Sequence, residues 1–536
     1  MGPASSYRRF IIVVAIGVLL IVLHIAFHWT SAIQEDAYIT LRCAVNLANT
    51  GVYGFNPGER VSAATSHAYV FLAATAYHLA RKWFIPTLAI TNSCLLILAA
   101  YLLASVLFLD YWRKIFLWTL VCSSPLALGI AYSGMEYCLL LLVISVIVHG
   151  MFQQWTGPHA YVAMMLLPWV RPDAIAFGGI LLCCLAVRLR RVPLAMGFSL
   201  LVGLVSWLSF NYLYFGSPVT QSMIAKGLIS HGLGTLPLFV QNLERIFFAF
   251  RSDVYGGIGG SYAGIFTPIN TRYLEPYGVF FFFLTISIFI YYLLLNRHNT
   301  GRLLLLSTFI GMALVPPVAY ALGGVVWPWY LWPSSFFGFF VVAAALVDLV
   351  SSEGTQWRRA SIIAISALFL VSAVGEWCLA YRHGARESYR KQIGKYLKNK
   401  AEASDTLLLE PAGHIPFFAG IRAYDEVGST SPQIADYIRE YGKEWWILFV
   451  EEARPTYLLE RSHIVEYKTL QGYELSPIEK EWFDDNYELV HVFKFDPDAY
   501  IKGSSSLGIL ADLKRSLISG TGSDFYLYRL RTPGGD

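Results

Sequence analysis

The chain has 536 residues, 56% of them hydrophobic and 14% charged, with a formal net charge of +4. A soluble domain carries about 25% charged residues, so this composition excludes one and points to a polytopic membrane protein. No basic tract reaches the density of a nucleic-acid groove, and no GxxxxGK[ST] phosphate loop is present, so nucleic acid is not an expected partner.

Tyr7-Arg8-Arg9 precedes an apolar run from Phe10 to Trp29. The run is about 20 residues, long enough to span a bilayer. No small-x-small cleavage site falls before Glu35, so an uncleaved first helix is expected. Directly behind it stand two adjacent acids, Glu35 and Asp36. Carboxylates at a membrane boundary are costly to desolvate, which argues for function. Acids also favour helix N-termini, so capping a helix that begins near Ala37 stays open beside that reading. Residues 30–65 read as a structured outer loop.

Further apolar runs lie near 66–81, 86–109, 115–133, 137–154, 158–188, 193–214, 277–296, 302–322, 327–349 and 360–380. The run 158–188 is interrupted by Arg171-Pro172-Asp173 and counts once. The total is about 11 spans. Arg8-Arg9, Arg81-Lys82, Arg188 to Arg191, Arg297 with Arg302, and Arg358-Arg359 then fall on the cytoplasmic side, as the positive-inside rule requires. Arg113-Lys114 falls outside and disobeys. Glu136 falls at the cytoplasmic end, away from Asp36, while Asp110 falls on the same side as Asp36. Loop 215–276 and everything after 380 fall outside.

Residues 1–380 carry 12 acids and 20 bases; the last 156 residues carry the other 24 acids and 20 bases. A basic membrane domain, 1–380, therefore precedes a mildly acidic soluble domain, 381–536. None of the seven cysteines lies in that tail, and no Cys/His spacing suggests zinc. Thr406 to Leu409, Tyr487 to Phe495 and Phe525 to Tyr528 alternate or run apolar as strands do. Ser431-Pro432 starts a helix, with a cap residue before proline at the first helical position. A small α/β domain is expected.

Several stretches together resemble the GT-C class of membrane glycosyltransferases, and above all the mycobacterial terminal arabinofuranosyltransferase with its bacterial relatives. They are Glu35-Asp36-Ala37-Tyr38-Ile39, Arg42, Asn46-Leu47-Ala48 and Phe55 to Arg60 in the first loop. Ser133-Gly134-Met135-Glu136, Val170-Arg171-Pro172-Asp173, Tyr214 to Pro218 and Ala225-Lys226 follow. In the tail, Gly413 to Phe418 and Asp425-Glu426-Val427-Gly428 resemble that family's outer domain. The first acid is Glu where the family commonly has Asp, Gly323-Gly324-Val325 stands for its Gly-Gly-Asp, and Trp327-Pro328-Trp329-Tyr330 looks more like the mannosyltransferase branch. The resemblance implies inverting transfer of a sugar, arabinofuranose first, from a polyprenyl-phosphate donor. The acceptor would be a glycan, glycolipid or protein at the outer face of a bacterial inner membrane, with the tail in the periplasm.

Such chemistry needs a base for the acceptor hydroxyl, cations for the leaving phosphate and an apolar groove for the lipid. Asp36 is the expected base and Glu35 its partner or organiser. Lys226, Arg171, Arg251 and His67 are candidates for the donor phosphate; Glu136, Asp173 and Asp110 are secondary acids. Tyr38, Trp327, Trp329, Tyr330 and His414 are candidate sugar or acceptor contacts. Blander readings stand beside each: a headgroup lysine, a structural Arg171–Asp173 pair, a hydrogen-bonded His67, a buried turn His414, interfacial anchoring for the tryptophans. Arg251 and Arg272 share a loop with Gly256-Gly257 and Gly259-Gly260 that would form a flap. No cofactor is assigned, although the chemistry admits a divalent metal. A transporter or flippase, with its intramembrane charges, and a non-catalytic assembly factor are the rival functions.

Overall fold

The computed structural model describes residues 3–152, 157–229, 236–248, 277–322, 327–352, 355–498, 516, 518 and 522–531. Arg251, Arg272, the loop glycine pairs and Val325 lie outside the described residues.

Helix α1 (Pro3–His28) is followed by α2 (Glu35–Thr50), α3 (His67–Ala80), α4 (Phe84–Leu107), α5 (Tyr111–Cys122), α6 (Pro125–Tyr132) and α7 (Tyr137–Phe152). Then come α8 (Pro158–Val170), α9 (Ile175–Leu189), α10 (Leu194–Phe215), α11 (Gln221–Ile229) and α12 (Leu236–Phe248). The bundle closes with α13 (Gly278–Leu295), α14 (Thr300–Leu322), α15 (Trp332–Ser352) and α16 (Thr355–Lys400).

The helix ends gather in two layers. In one, Tyr111 donates to the Arg9 carbonyl at 2.8 Å, Arg188 donates to the Met151 carbonyl, and Asp348 accepts from Arg113 at 3.2 Å, from Tyr292 at 2.7 Å and from Arg302. This is the basic end. In the other, the Gln34 amide donates to the Ser133 carbonyl at 2.9 Å, Arg171 meets Glu136, and Tyr320 donates to Asp173 at 2.5 Å.

Among the described residues, eight helical stretches are long and apolar enough to cross a membrane, nine with the α5–α6 pair, which bends by 57°. The shorter α7 and α8 also join the two layers. The resulting eleven legs divide differently from the expected eleven spans. The run 66–81 is no crossing: α3 lies along α2, and Tyr77 near its end reaches Asn49 of α2 at 3.5 Å. The run 158–188 is two crossings, because Pro172 lacks the amide that would continue the helix past Arg171. The two corrections cancel, so the tail still follows the cavity end. They also move Arg113-Lys114 to the basic end and Glu136 to the opposite one.

Helix α16 has 46 residues, roughly 69 Å at 1.5 Å per residue. Its first half exposes Ile363, Leu370, Val371 and Val374; its second half is rich in Arg and Lys and packs along the tail helix His414–Ala419, with Gly394 against Ile415 and Phe418. The boundary at 380 thus falls inside a continuous helix. Gly384 lets it pass the α1–α2 linker, since an added Cβ would lie 1.5 Å from the Thr30 carbonyl oxygen.

The tail holds β1 (Thr406–Leu409), α17 (His414–Ala419), β2 (Arg422–Asp425), α18 (Pro432–Tyr441), α19 (Trp445–Ala453), β3 (Tyr457–Glu460), α20 (Ser462–Val465), α21 (Pro477–Asn486), β4 (Tyr487–Phe493) and β5 (Phe525–Leu530). The sheet runs β2-β1-β3-β5-β4. Its first three strands are parallel, and β5 runs antiparallel to both of its neighbours, β3 and β4. Trp445, Trp446, Leu458 and Phe483 fill one face. The expected strands and the Ser431-Pro432 helix start are all present, but Ser431 Oγ accepts from the Asp425 amide instead of capping α18.

Candidate active site

The cavity end is organised around the first turn of α2. Adjacent helical residues diverge by about 100°, so Glu35 and Asp36 meet different surroundings. Glu35 turns to the tail. Its Oε1 accepts from the amides of Gly413 at 2.6 Å and His414 at 2.9 Å. Its Oε2 accepts from Arg390 at 2.6 Å and lies 2.9 Å from His414 Nδ1. Burial alone would raise the pKa of Glu35; Arg390 and His414 outweigh it and hold the carboxyl well below its usual range.

Asp36 is the opposite case. Among the described residues its carboxylate has no hydrogen bond or ion pair, and it lines a cavity of about 310 Å³. Burial raises its pKa; Lys226 pulls it down, while Glu35, Glu136 and Glu410 push it further up, and the net shift is upward. A half-buried carboxylate with a raised pKa and no internal partner is available to accept a proton.

Lys226 reaches the cavity from α11. Its Nζ donates to Tyr330 Oη at 2.5 Å and lies 5.1 Å from that ring's centre. Helix α11 is fixed at its start by the Gln221 amide on the Ser62 carbonyl at 3.0 Å and by Gln221 Nε2 on the Gly428 carbonyl at 2.9 Å. Trp327 and Trp329 stack 5.2 Å apart on the same wall. The buried Trp329 Nε1 has no partner among the described residues.

Arg171 also lines the cavity but is spent on the protein. It donates to both Asp173 oxygens at 2.9 and 2.8 Å, to Glu136 and to Tyr137 Oη at 3.1 Å. Two carboxylates outnumber its charge. Glu136 therefore stands within the cavity wall, contrary to its expected place at the far end; Asp173 is tied beneath it.

Four expected contacts lie elsewhere. His67 is fully buried, with Tyr53 Oη at 2.9 Å on Nδ1 and Asn211 Oδ1 at 3.1 Å on Nε2. Tyr38 is buried against His414, Phe417 and Phe418, where it docks α17 onto α2. His414 is held between Glu35 and Glu387. Asp110 caps α5 through the Arg113 amide at 2.9 Å, at the basic end, and cannot approach Asp36. Two larger cavities, about 540 and 970 Å³, also open at that end.

The structure adds residues that the sequence reading missed: Arg386 and Arg390 from α16, and Glu410, Asp425 and Ser429 from the tail. The basic spacing of Arg382, Arg386 and Arg390 was the available signal, since i and i+4 share a helix face. Glu35, Glu387 and His414 have ligand atoms within 4.8 Å of one another. Arg390 contacts both carboxylates, at 2.6 and 3.3 Å, so this group does not suit a divalent cation.

A domain of unknown function (DUF8728) matches residues 379–521. No curated protein matches. Among solved structures, ArnT from Cupriavidus metallidurans bound to undecaprenyl phosphate is 13% identical with a TM-score of 0.54, covering 90% of this chain and 96% of that one. The oligosaccharyltransferase AglB from Archaeoglobus fulgidus, with an inhibitory peptide and a dolichol-phosphate, is 11% identical with a TM-score of 0.56, covering 98% and 89%. The Archaeoglobus enzyme complexed with zinc and sulfate is 12% identical with a TM-score of 0.55, covering 96% and 88%. The likeness shows a shared fold, that of the GT-C class, over nearly the whole chain.

Proposed function

We propose that the chain is a glycosyltransferase that moves a sugar from a polyprenyl-phosphate donor to a hydroxyl-bearing acceptor. One observation carries this: Asp36 is a carboxylate without a partner among the described residues, facing a cavity at one end of a membrane bundle of GT-C fold. The first solved neighbours hold undecaprenyl phosphate and dolichol-phosphate, which supports a lipid-linked donor here. The positive-inside rule supports a cytoplasmic basic end, and with it a cavity and tail on the outer, periplasmic face of a bacterial inner membrane.

Asp36 takes the proton from the acceptor hydroxyl as its oxygen attacks the anomeric carbon. The bond from that carbon to the phosphate oxygen breaks, and the polyprenyl phosphate leaves with the electron pair. One direct displacement inverts the anomeric carbon. Lys226 and Arg386 face the cavity and steady the departing phosphate. Arg171 holds Glu136 and Asp173 in place and takes no part in phosphate binding. Trp327, Trp329 and Tyr330 offer ring faces and an indole N–H to the sugar. The motifs of the first loop favour arabinofuranose, and the acceptor is a glycan, glycolipid or protein met between the cavity and the tail.

The test is transfer by the purified chain in liposomes supplied with polyprenyl-phosphate arabinofuranose and, separately, its hexose counterparts. Asp36→Asn is expected to abolish transfer; retained activity in that variant removes the base. Mass spectrometry of lipids held by the purified protein is expected to find a polyprenyl-phosphate sugar. A flippase or an assembly factor would leave the donor's sugar–phosphate bond uncleaved in the liposome assay.

A further inference from the structure

A second group of ionisable side chains lies in the tail, outside the cavity. Strands β2, β1 and β3 are parallel and adjacent. The chain leaves β1 for β2 on one side and β3 on the other, and ligands in such sheets bind beyond the carboxyl ends of the strands at this point. Here each strand ends on an acid: Glu410 follows β1, Glu426 follows β2, and Glu460 closes β3. Glu410 is paired with Arg461. Glu426 and Glu460 are 0% and 1% exposed.

His463, in the short α20 after β3, brings Nε2 to 3.4 Å from a Glu460 oxygen. Ligand atoms of Glu426, Glu460 and His463 all lie within 4.8 Å of one another. Trp446 Nε1 donates to Glu426 Oε1 at 2.9 Å. Apart from a hydrogen bond that the Glu426 and Glu460 carboxyls can share with each other, Glu426 Oε2, Glu460 Oε1 and His463 Nε2 have no hydrogen-bond partner among the described residues. Buried oxygens left in this state are costly, and two buried carboxylates side by side call for a proton or a metal cation between them.

We propose that Glu426, Glu460 and His463 bind one divalent metal ion of the zinc class. Two carboxylates and an imidazole are a donor set that zinc takes, with a fourth position left for water. Zinc ligands about 2.0–2.2 Å from the ion stand roughly 3.3–3.5 Å apart, and the His463–Glu460 separation of 3.4 Å already meets this. The Trp446 N–H orients the Glu426 carboxylate, as outer-shell donors do at metal sites. The ion would tie the carboxyl ends of β2 and β3 across β1. Asp425 and Val427, on either side of Glu426, line the membrane cavity, so the metal stiffens one wall of it. The site stands independently of the sugar-transfer proposal.

The experiment uses the untagged full-length protein in detergent, stripped with chelator and titrated with Zn(II) and Co(II). One equivalent of zinc per chain is expected by elemental analysis after dialysis, and the Co(II) form should show ligand-field absorption. Even outer-shell changes cost about 10–100-fold in metal affinity, so Glu460→Gln and His463→Ala should each lose at least about 100-fold. Trp446→Phe, which keeps all three ligands, should lose about 10-fold or more; it serves where a ligand variant fails to fold. Wild-type protein that retains no zinc or cobalt overturns the proposal, as does wild-type affinity in both ligand variants. A carbonyl stretch from a protonated carboxyl in the zinc-treated wild type, lost in Glu460→Gln, also overturns it: the two acids would then share a proton.

Discussion

The two ends of the bundle solve the same problem with different outcomes. At the basic end Asp348 is enclosed by Arg113, Arg302 and Tyr292, and the carboxylate is answered by cations in excess. At the cavity end Glu35, Asp36, Glu136 and Asp173 face Arg171, Arg390 and Lys226, and three of the four acids are bound into networks. Among the described residues Asp36 is the one of these four left without a partner. Ion pairing is common to both ends and does not mark function. The mark is the half-buried acid that no described residue pairs.

The sharpest break of this comparison is Asp36→Asn. Loss of a positioned base costs about 10²–10⁴-fold in rate. No partner is lost, and a carboxyl whose pKa rises on folding disfavours the folded state above that pKa, so the amide relieves a cost. Transfer is expected to collapse while the melting temperature in detergent holds or rises. A variant that loses both together would mean that Asp36 is structural.

Arg171→Met addresses the paired acids of the same end. It leaves Glu136 and Asp173 buried without their guanidinium, and breaking a buried pair costs about 3–5 kcal/mol. Thermal unfolding should drop accordingly. An unchanged melting temperature with lost transfer would return Arg171 to the donor phosphate. At the basic end, Asp348→Asn removes one acceptor that retains an amide oxygen, and a cost of about 1–3 kcal/mol is expected with no change in transfer rate. A rate change there would tie the two ends together.

Much of this was legible in the sequence, unevenly. The membrane class, the α/β tail and the position of Glu35-Asp36 follow from composition, period and charge. Span boundaries did not, because α3 is as apolar as a crossing helix yet lies along α2, and Arg171-Pro172-Asp173 reads equally as a kink or a turn. That pair of ambiguities is why Glu136 and Asp110 exchanged ends. Tyr38 and His414 fit the resemblance but meet each other, at 4.0 Å between rings; only the docked tail reveals it. Arg386 and Arg390 were hidden because hydropathy ends the last span near 380, whereas the helix runs on to Lys400. Asp36 and Glu35 are neighbours in sequence with opposite pKa shifts: burial pushes both up, and only at Glu35 do Arg390 and His414, distant in the chain, reverse it.

The smallest effect is the most discriminating. Burial first, then Glu35, Glu136 and Glu410, raise the pKa of Asp36 above its ordinary 3.8, against the pull of Lys226. The base is active when ionised, so kcat/KM should rise with pH through a midpoint above that of an ordinary aspartate. Removing a neighbouring negative charge lowers the pKa, and removing the positive one raises it. Glu410→Gln should therefore move the acid limb to lower pH, and Lys226→Met should move it to higher pH while also slowing transfer. Acid limbs that coincide in wild type and both variants would show that the titrating group is elsewhere, and the unpaired acid at the cavity end would lose its claim to the proton.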